Sequence, residues 1–547
     1  MLSSSLFINL QAQNFEWAKR EGFSAYDYGY GTGTDNAGNV YVAGKYEGTA
    51  DFSGVTLPCA GNHDIYLAKY TSAGVLTWIR TGGGLLGDYA HAMACDKTTS
   101  VYVAGEIEGA KGSIINFPGS AITLTTVGDN DIFVSKYDLN GTLIWAKSDG
   151  GYYSEKAEGV SYDAAGNVYV CGFFTDTTIF GGVIIPGAGY RDAFIAKYDV
   201  NGNFQWMKHA GGPGRDEASS IKTDAAGNSY ICGMMSDNAV FGTTTLNTTG
   251  TYGNLDAFIA KYAPDGTLLW VKKAGGDYDD VAFSLTMDNA GKIFVTGEFN
   301  GYALFGAIAL TTSSILSDGF VVCYDAAGTS QWASQIAGTL VDRPRGIGCD
   351  GSNLFITGQF GGTSTFGSST LTAVDSSDIF IAGLDNNGVF LWSRSVTGPA
   401  DQYENLGYES GIAVCADPSG AVYATGALLD GGTFGTFSFT PYSRTDMFVT
   451  KINTAAATNG VNAINSINNK LQVSPNPNTG AMTVNLLEFA NQKIEIIIYD
   501  CLGQIIERRT DQSPSKINFD LSAHKKGMYF IEVEADQKIY RNKIILQ

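Results

Sequence analysis

No run of apolar residues in the 547-residue chain approaches the ~18 that a membrane-spanning helix requires, so none is expected. Charge is thin: 16% of residues are Asp, Glu, Lys or Arg, against a usual ~25%. What there is sums to −20, which excludes nucleic acid and anionic membrane as expected partners. Proline is scarce, with 12 residues. Eight cysteines without a Cys-x-x-Cys pair exclude a disulfide scaffold and a zinc ribbon. The four histidines, His63, His91, His209 and His524, show no metal-ligand spacing. Gly-x-Ser-x-Gly, Walker and His-Glu-x-x-His motifs are missing, and Gly29–Gly33 has no helix behind it to make a phosphate cradle. Cys95, Cys171, Cys232, Cys323, Cys349 and Cys415 fall in expected strands and read as buried thiols. No catalytic residue, metal site or cofactor is therefore expected. The acidic pairs Asp279/Asp280 and Asp129/Asp131 are what chance supplies among 54 carboxylates, although such a pair could serve a glycoside hydrolase.

Glycine and aromatics are abundant, with 69 glycines and 12% Phe, Trp and Tyr. That is the profile of many short strands joined by glycine turns. The charge marks a boundary. From Leu471 to Gln547, nine Lys/Arg balance nine Asp/Glu, so residues 1–470 carry the whole −20. Residues 453–470 are small and polar, and read as a linker. Residues 1–13 read as a signal-peptide remnant: Leu6–Leu10 is apolar and Ala12 lies near a cleavage point, but the basic start is missing.

Between them, 14–452 is a repeat. Seven tryptophans, Trp17, Trp78, Trp145, Trp206, Trp270, Trp332 and Trp392, lie 60–67 residues apart. Three more series keep step with them. A turn aspartate (Asp35 to Asp417) is followed by an aromatic and then a glycine (Gly44, Gly105, Gly172, Gly233, Gly297, Gly358, Gly426). An Asp-x-aromatic triplet then begins at Asp64, Asp131, Asp192, Asp256, Asp318, Asp378 and Asp446. Four antiparallel strands per unit, seven times over, predict an all-β seven-bladed β-propeller. Trp17 precedes the first unit and no tryptophan follows the last, so Phe15–Lys19 is expected to supply the final blade's outer strand.

The pattern Asp163–Gly172, then Phe-Gly, then Asp192–Tyr198, then Trp, resembles the bacterial SBBP β-propeller repeat family, common in exported proteins of Bacteroidota. Cys323 and Gly383 depart from it at the usual lysine position. The family has no shared activity.

The tail, 471–547, reads as a small β-sandwich. Pro475, Asn476, Pro477 and Gly480, then Asp500 and Gly503, Gly527 and Tyr529, and the terminal Lys543 resemble the type A sorting domain of the type IX secretion system. The resemblance implies that secretion machinery and a surface sortase are partners, and that the protein is secreted or displayed on the outer membrane.

Two features bear on function. In all six complete units the Asp-x-aromatic aspartate precedes its tryptophan by 14 residues, whereas the glycine-to-aspartate spans vary from 20 to 26. Length variation thus falls on one face, and Ala110–Asp129, Asn247–Leu255 and Pro399–Tyr408 are the expected ligand loops. Eight residues before each turn aspartate stands an acid: Asp27, Asp88, Glu155, Asp216, Asp280, Asp342 and Glu409. Such a ring either binds a cation, calcium being the candidate, or accepts backbone N–H groups and fixes the blades. Sevenfold repetition favours the second. The expected function is a non-enzymatic surface module that binds a glycan or protein ligand. A secreted carbohydrate-active enzyme and a purely structural component are the alternatives.

Overall fold

The computed structural model describes residues 14–454, apart from 24, 251–252, 375, 399–409, 430 and 441–443, and residues 472–546, apart from 477, 487–492, 501–504, 513–514 and 536–537. The expected signal remnant, nearly all of the linker, Pro399–Tyr408, Glu409, Pro477 and Gly503 lie outside the described residues. The described residues form strands and turns without a helix, so no helix among them is long and apolar enough to cross a membrane. The chain divides into two compact units, 1–456 and 457–547.

The larger unit opens with β1 (Asn14–Phe23), β2 (Tyr28–Thr34), β3 (Val40–Tyr46), β4 (Thr49–Phe52), β5 (Val55–Pro58), β6 (Asp64–Tyr70) and β7 (Leu76–Gly82). The order β2-β3-β6-β7 is an antiparallel meander. The same meander restarts at Asp88–Cys95, Glu155–Tyr162, Glu217–Thr223, Val281–Met287, Asp342–Cys349 and Ser410–Ala416. These first strands pack side by side in chain order, and Ser410–Ala416 packs back against β2, giving a propeller-like closed ring. β1 pairs with Thr445–Asn453 from Asn14↔Asn453 to Glu21↔Met447, so the chain's first strand forms the outer edge of its last meander.

Each series has a physical cause. The turn aspartate Asp163 accepts N–H groups from Ala165 and Asn167 on one oxygen and the Tyr169 hydroxyl, at 3.0 Å, on the other. Asp35 and Asp417 hold Tyr41 and Tyr423 in the same way. Trp145 donates to the Val200 carbonyl of the next meander at 3.1 Å and lies on Gly202, whose φ of 78° needs glycine. Trp206, Trp270 and Trp332 repeat that latch.

One element departs from the expectation. The variable glycine-to-aspartate stretches contain a hairpin, such as β4–β5, where open loops are expected. Ile114–Asn116 pairs with Thr123–Thr125 inside Ala110–Asp129, and Asn247 ends a strand paired with Asn238–Phe241. Several of these hairpins join the outer strand of the preceding meander, extending it to six strands. Burial drives this: Phe52, Phe180, Phe241, Phe305, Phe366 and Phe434 are all at most 1% exposed. The Phe-Gly dipeptide supplies the turn, with Gly181 and Gly242 at φ 57° and 58°.

The smaller unit is a sandwich of two antiparallel sheets. Gln472–Ser474, Ala481–Asn485 and Lys516–Asp520 form one, and Lys493–Asp500, Ile505–Gln512, Gly527–Ala535 and Lys538–Leu546 the other. Met482, Val484, Ile496, Phe519 and Ile531 are among the residues that fill the space between them.

Candidate functional site

Every first strand carries a β-bulge at the same level, and the bulge builds the site. The pairing register shifts between Gly29 and Gly31, Ala157 and Gly159, Ala218 and Ser220, Ala282 and Ser284, Pro344 and Gly346, and Gly411 and Ala413. The second meander shifts between Tyr89 and Ala92. An extra residue at a bulge is re-aimed away from the regular pleat. Here the residues are Tyr30, His91, Glu158, Ser219, Phe283, Arg345 and Ile412, and all line one central cavity of about 550 Å³.

The glycine series is what admits the bulge. A Cβ on Gly172 would lie 1.8 Å from the Lys156 carbonyl oxygen, and Gly44, Gly105, Gly233, Gly297, Gly358 and Gly426 meet the equivalent carbonyl at 2.2 Å or less. No side chain fits that distance. The sequence reading found the glycines but not the bulge residue. Its signal was chemical variety at one position of a repeat whose neighbours are constant or small.

The cavity has two chemical halves. Tyr28 stacks on Tyr30 (centroids 5.5 Å apart, 9°) and Tyr89 on His91 (5.5 Å, 6°). Lys45 Nζ sits 5.0 Å from the rings of both Tyr28 and Tyr89, and burial pushes its pKa down to about 8. His91 contacts Glu106 at 3.1 Å. The other half is ionic. Lys156 pairs with Glu158 at 2.9 Å, and Arg191 and Arg215 share Glu217 at 2.5 and 2.7 Å. Arg345 covers the Phe283 ring within the lining, whereas Arg191, Arg343 and Glu298 are not part of it, Arg343 meeting Glu298 at 2.8 Å. Burial raises the Glu158 carboxyl, but Lys156 and His91 outweigh it and hold it below its ordinary value.

The acidic ring lies elsewhere. Asp27, Asp88, Glu155, Asp216, Asp280 and Asp342 are at most 1% exposed, and none lines the cavity, so they do not steer ligands at the channel mouth. Asp88 accepts the Gly84 and Glu108 N–H groups, Asp216 those of Gly212 and Ser236, and Asp280 those of Gly276 and Asn300, at 2.7–3.2 Å. Asp27 accepts the Glu47 N–H, and Asp342 the Ser364 hydroxyl.

Asp88, Glu155, Asp216, Asp280 and Asp342 also each face an Asp-x-aromatic aspartate of the preceding meander, a pairing not expected from the sequence despite the constant 24-residue separation from Asp64/Asp88 to Asp318/Asp342. Burial first, and that neighbouring carboxylate after it, push Asp88 and Asp216 up to about 7, Asp280 and Asp342 to about 8, and Glu155 to about 9.

The pairs adjacent in sequence are engaged by backbone N–H groups or buried. Asp279 accepts the Leu255 N–H while Asp280 is buried, and Asp131 accepts the Val127 N–H. Among the described residues, no three His, Cys, Asp or Glu side chains are grouped to hold a metal. The histidines stay apart: His63 meets the Tyr89 hydroxyl, His209 the Phe174 ring and His524 the Tyr529 ring. Cys171 and Cys232 are buried free thiols, raised by that burial.

In the sandwich, Asn476 accepts the Ile545 N–H at 2.8 Å, tying the first turn to the last strand, in which Lys543 pairs with Phe530. Pro475 precedes that turn. Gly480, at φ 125°, has the Ser522 backbone 2.6 Å from where a Cβ would be. Asp500 pairs with Tyr529, whose hydroxyl donates to the Lys525 carbonyl, and Gly527 opens that strand.

Residues 472–547 match the secretion system C-terminal sorting domain. That domain marks the protein for type IX secretion, to the cell surface or the extracellular space. The repeat region has more distant relatives. An uncharacterised WD repeat-containing protein of Acanthamoeba polyphaga mimivirus is 23% identical over 370 residues, 54% of this chain and 26% of that protein. The regulatory protein FlaEY of Caulobacter vibrioides is 27% identical over 281 residues, 47% of this chain and 28% of that protein. The chain thus spans about a quarter of the length of these curated relatives. Among solved structures, a protein of unknown function from Bacteroides thetaiotaomicron matches with 11% identity and a TM-score of 0.32, covering 81% of this chain and 76% of its own. A Synechocystis apocarotenoid oxygenase matches with 10% identity and a TM-score of 0.33, over 81% and 95%.

Proposed function

We propose that this is a seven-bladed, SBBP-type propeller displayed at the cell surface, where it binds a ligand, a glycan in the first instance, in the bulge-lined cavity. One observation carries the reading. The bulge position is where the repeat changes chemistry in every unit, and all seven side chains converge on one space. Stacked tyrosines beside fixed ion pairs offer flat apolar faces and oriented hydrogen-bonding groups, as sugar rings require. The Lys156 ion pair holds Glu158 as a fixed charge rather than as a proton donor. That favours binding over hydrolysis.

A glycan array and a surface-proteome screen on the full chain test it. Tyr30→Ala and Arg345→Ala are each expected to weaken capture at least tenfold (about 1.4 kcal/mol), with the melting temperature little changed. Undiminished capture by both variants overturns the site. Turnover of a captured glycan by the purified chain establishes the enzyme reading instead.

The tail carries its own expectation. If a surface sortase removes the module, the mature protein from the native host ends between Asn453 and Val473 by intact mass. A mature form that keeps Gln547 contradicts this.

A further inference from the structure

The junction before Glu155–Tyr162 breaks the pattern of the others. Elsewhere among the described residues the ring acid is an aspartate, and at Asp88, Asp216 and Asp280 both oxygens take backbone N–H groups. Here it is Glu155, one methylene longer. Neither of its oxygens completes a well-formed hydrogen bond, although the residue is 0% exposed; the Gly151 N–H and the Thr178 hydroxyl approach it and only partly offset its burial. Asp131 Oδ1 and Thr178 Oγ1 are also buried and unpartnered, on residues that are themselves 0% exposed.

These atoms converge on two adjacent glycines. A Cβ on Gly150 would lie 2.1 Å from Asp131 Oδ1. One on Gly151 would lie 2.3 Å from the Thr177 carbonyl oxygen, 2.9 Å from Glu155 Oε1 and 3.0 Å from the Thr178 Cα. The glycines leave room beside two carboxyl groups and a backbone carbonyl, with the Thr178 hydroxyl at Glu155. No lysine, arginine or histidine is ion-paired with Asp131 or Glu155 among the described residues. Oxygens short of donors, on two carboxyl groups in a dry place with no base beside them, lack a positive partner.

We propose that this junction binds one hard divalent cation of calcium's class, held by Asp131, Glu155, the Thr178 hydroxyl and the Thr177 carbonyl. A set of only oxygens, irregular in kind and including a neutral carbonyl, suits calcium better than the octahedral demands of magnesium. The two carboxylates balance the ion's charge. The other described junctions lack this set: at Asp64, Asp192 and Asp256 one oxygen is unpartnered, the facing acid is saturated by N–H groups, and Asp256 also takes Lys273 at 3.0 Å. At Asp342 one oxygen is unpartnered, but the other takes the Ser364 hydroxyl and the facing Asp318 takes Ser313 and Gln335. Those pairs have room for a shared proton, whereas this one has four oxygens to fill.

The test is a titration of the full chain, stripped with a chelator, with calcium chloride and separately with terbium chloride. Calorimetry is expected to give one site per chain, and calcium to raise the melting temperature by roughly 3 °C or more. Terbium luminescence excited through tyrosine is expected, because Tyr152 and Tyr153 lie beside Glu155. Glu155→Gln and Thr178→Val should each weaken calcium at least tenfold, while Asp216→Asn, at an N–H-saturated junction, should leave it unchanged. Thr178→Val keeps shape and charge, and so reads the site even if Glu155→Gln folds poorly. No heat and no thermal shift mean that Glu155 and Asp131 share a proton instead, and overturn the proposal. So does calcium binding that survives both variants.

Discussion

The melting temperature of the protein is expected to be higher at about pH 5.5 than at about pH 8.5, by roughly 5 °C or more. Asp88, Asp216, Asp280 and Asp342 are raised by burial and by the facing carboxylates of Asp64, Asp192, Asp256 and Asp318, to values of about 7 or 8. In the unfolded chain the same groups titrate near ~3.9. Between those limits the folded state holds protons that the unfolded chain has released. Stability therefore falls as the pH rises. The contribution is complete below about pH 4 and lost by about pH 8. Each tenfold difference in proton affinity between the two states is worth about 1.4 kcal/mol. Carboxylates with lowered values, such as Asp35 and Asp96, act in the opposite sense but below this window. Asp280→Asn, uncharged at every pH, should shallow the slope. It should also lower the curve, because its amide nitrogen must face an N–H of Gly276 or Asn300, at a cost of about 1–3 kcal/mol. A melting temperature that is flat or rises across the window removes the paired-carboxylate account.

Gly172→Ala is expected to destabilise the protein by about 3 kcal/mol, or to prevent folding, and to lose the cavity ligand with it. The added methyl would sit 1.8 Å from the Lys156 carbonyl oxygen. That carbonyl can retreat only by flattening the bulge, which turns Glu158 out of the cavity. Gly112 is the comparison. Its φ is 90°, yet nothing lies within 4 Å of a Cβ there. Alanine at Gly112 meets the backbone penalty alone, about 1 kcal/mol, and should leave binding intact. Calorimetric melting of the two variants separates close approach from φ. Equal losses would mean that the bulge carbonyl yields, and that the glycine series has another cause.

Much of the fold was legible because repetition multiplies a weak signal. The tryptophans, turn aspartates and glycines each answer one fixed geometric demand, and such demands recur in step. The sandwich was legible from short β-prone runs and the turns between them. The hairpins were not, because short strands such as Thr49–Phe52 look like loop when neither face alternates for long. Only the recurring Phe-Gly marked them. The acidic ring was legible as a spacing but not as a set of pairs, since its partners lie in the preceding meander. The channel residues were hardest. A bulge changes a side chain's direction without changing its spacing, so Tyr30, Glu158 and Arg345 differ from ordinary strand residues only by their variety.

The pairing of β1 with Thr445–Asn453 also bears on the order of events in folding. β1 is synthesised well before its partner, with all the intervening meanders between them, so the ring cannot close until Thr445–Asn453 has been made. Loop closure over so long a contour is slow, and until it happens both strands present unpaired edges that invite aggregation. Intermediates with all meanders but the last in place would be long-lived and sticky. A chain bound for export can use that delay. The ring stays open, and so threadable, for as long as Thr445–Asn453 is kept away from β1.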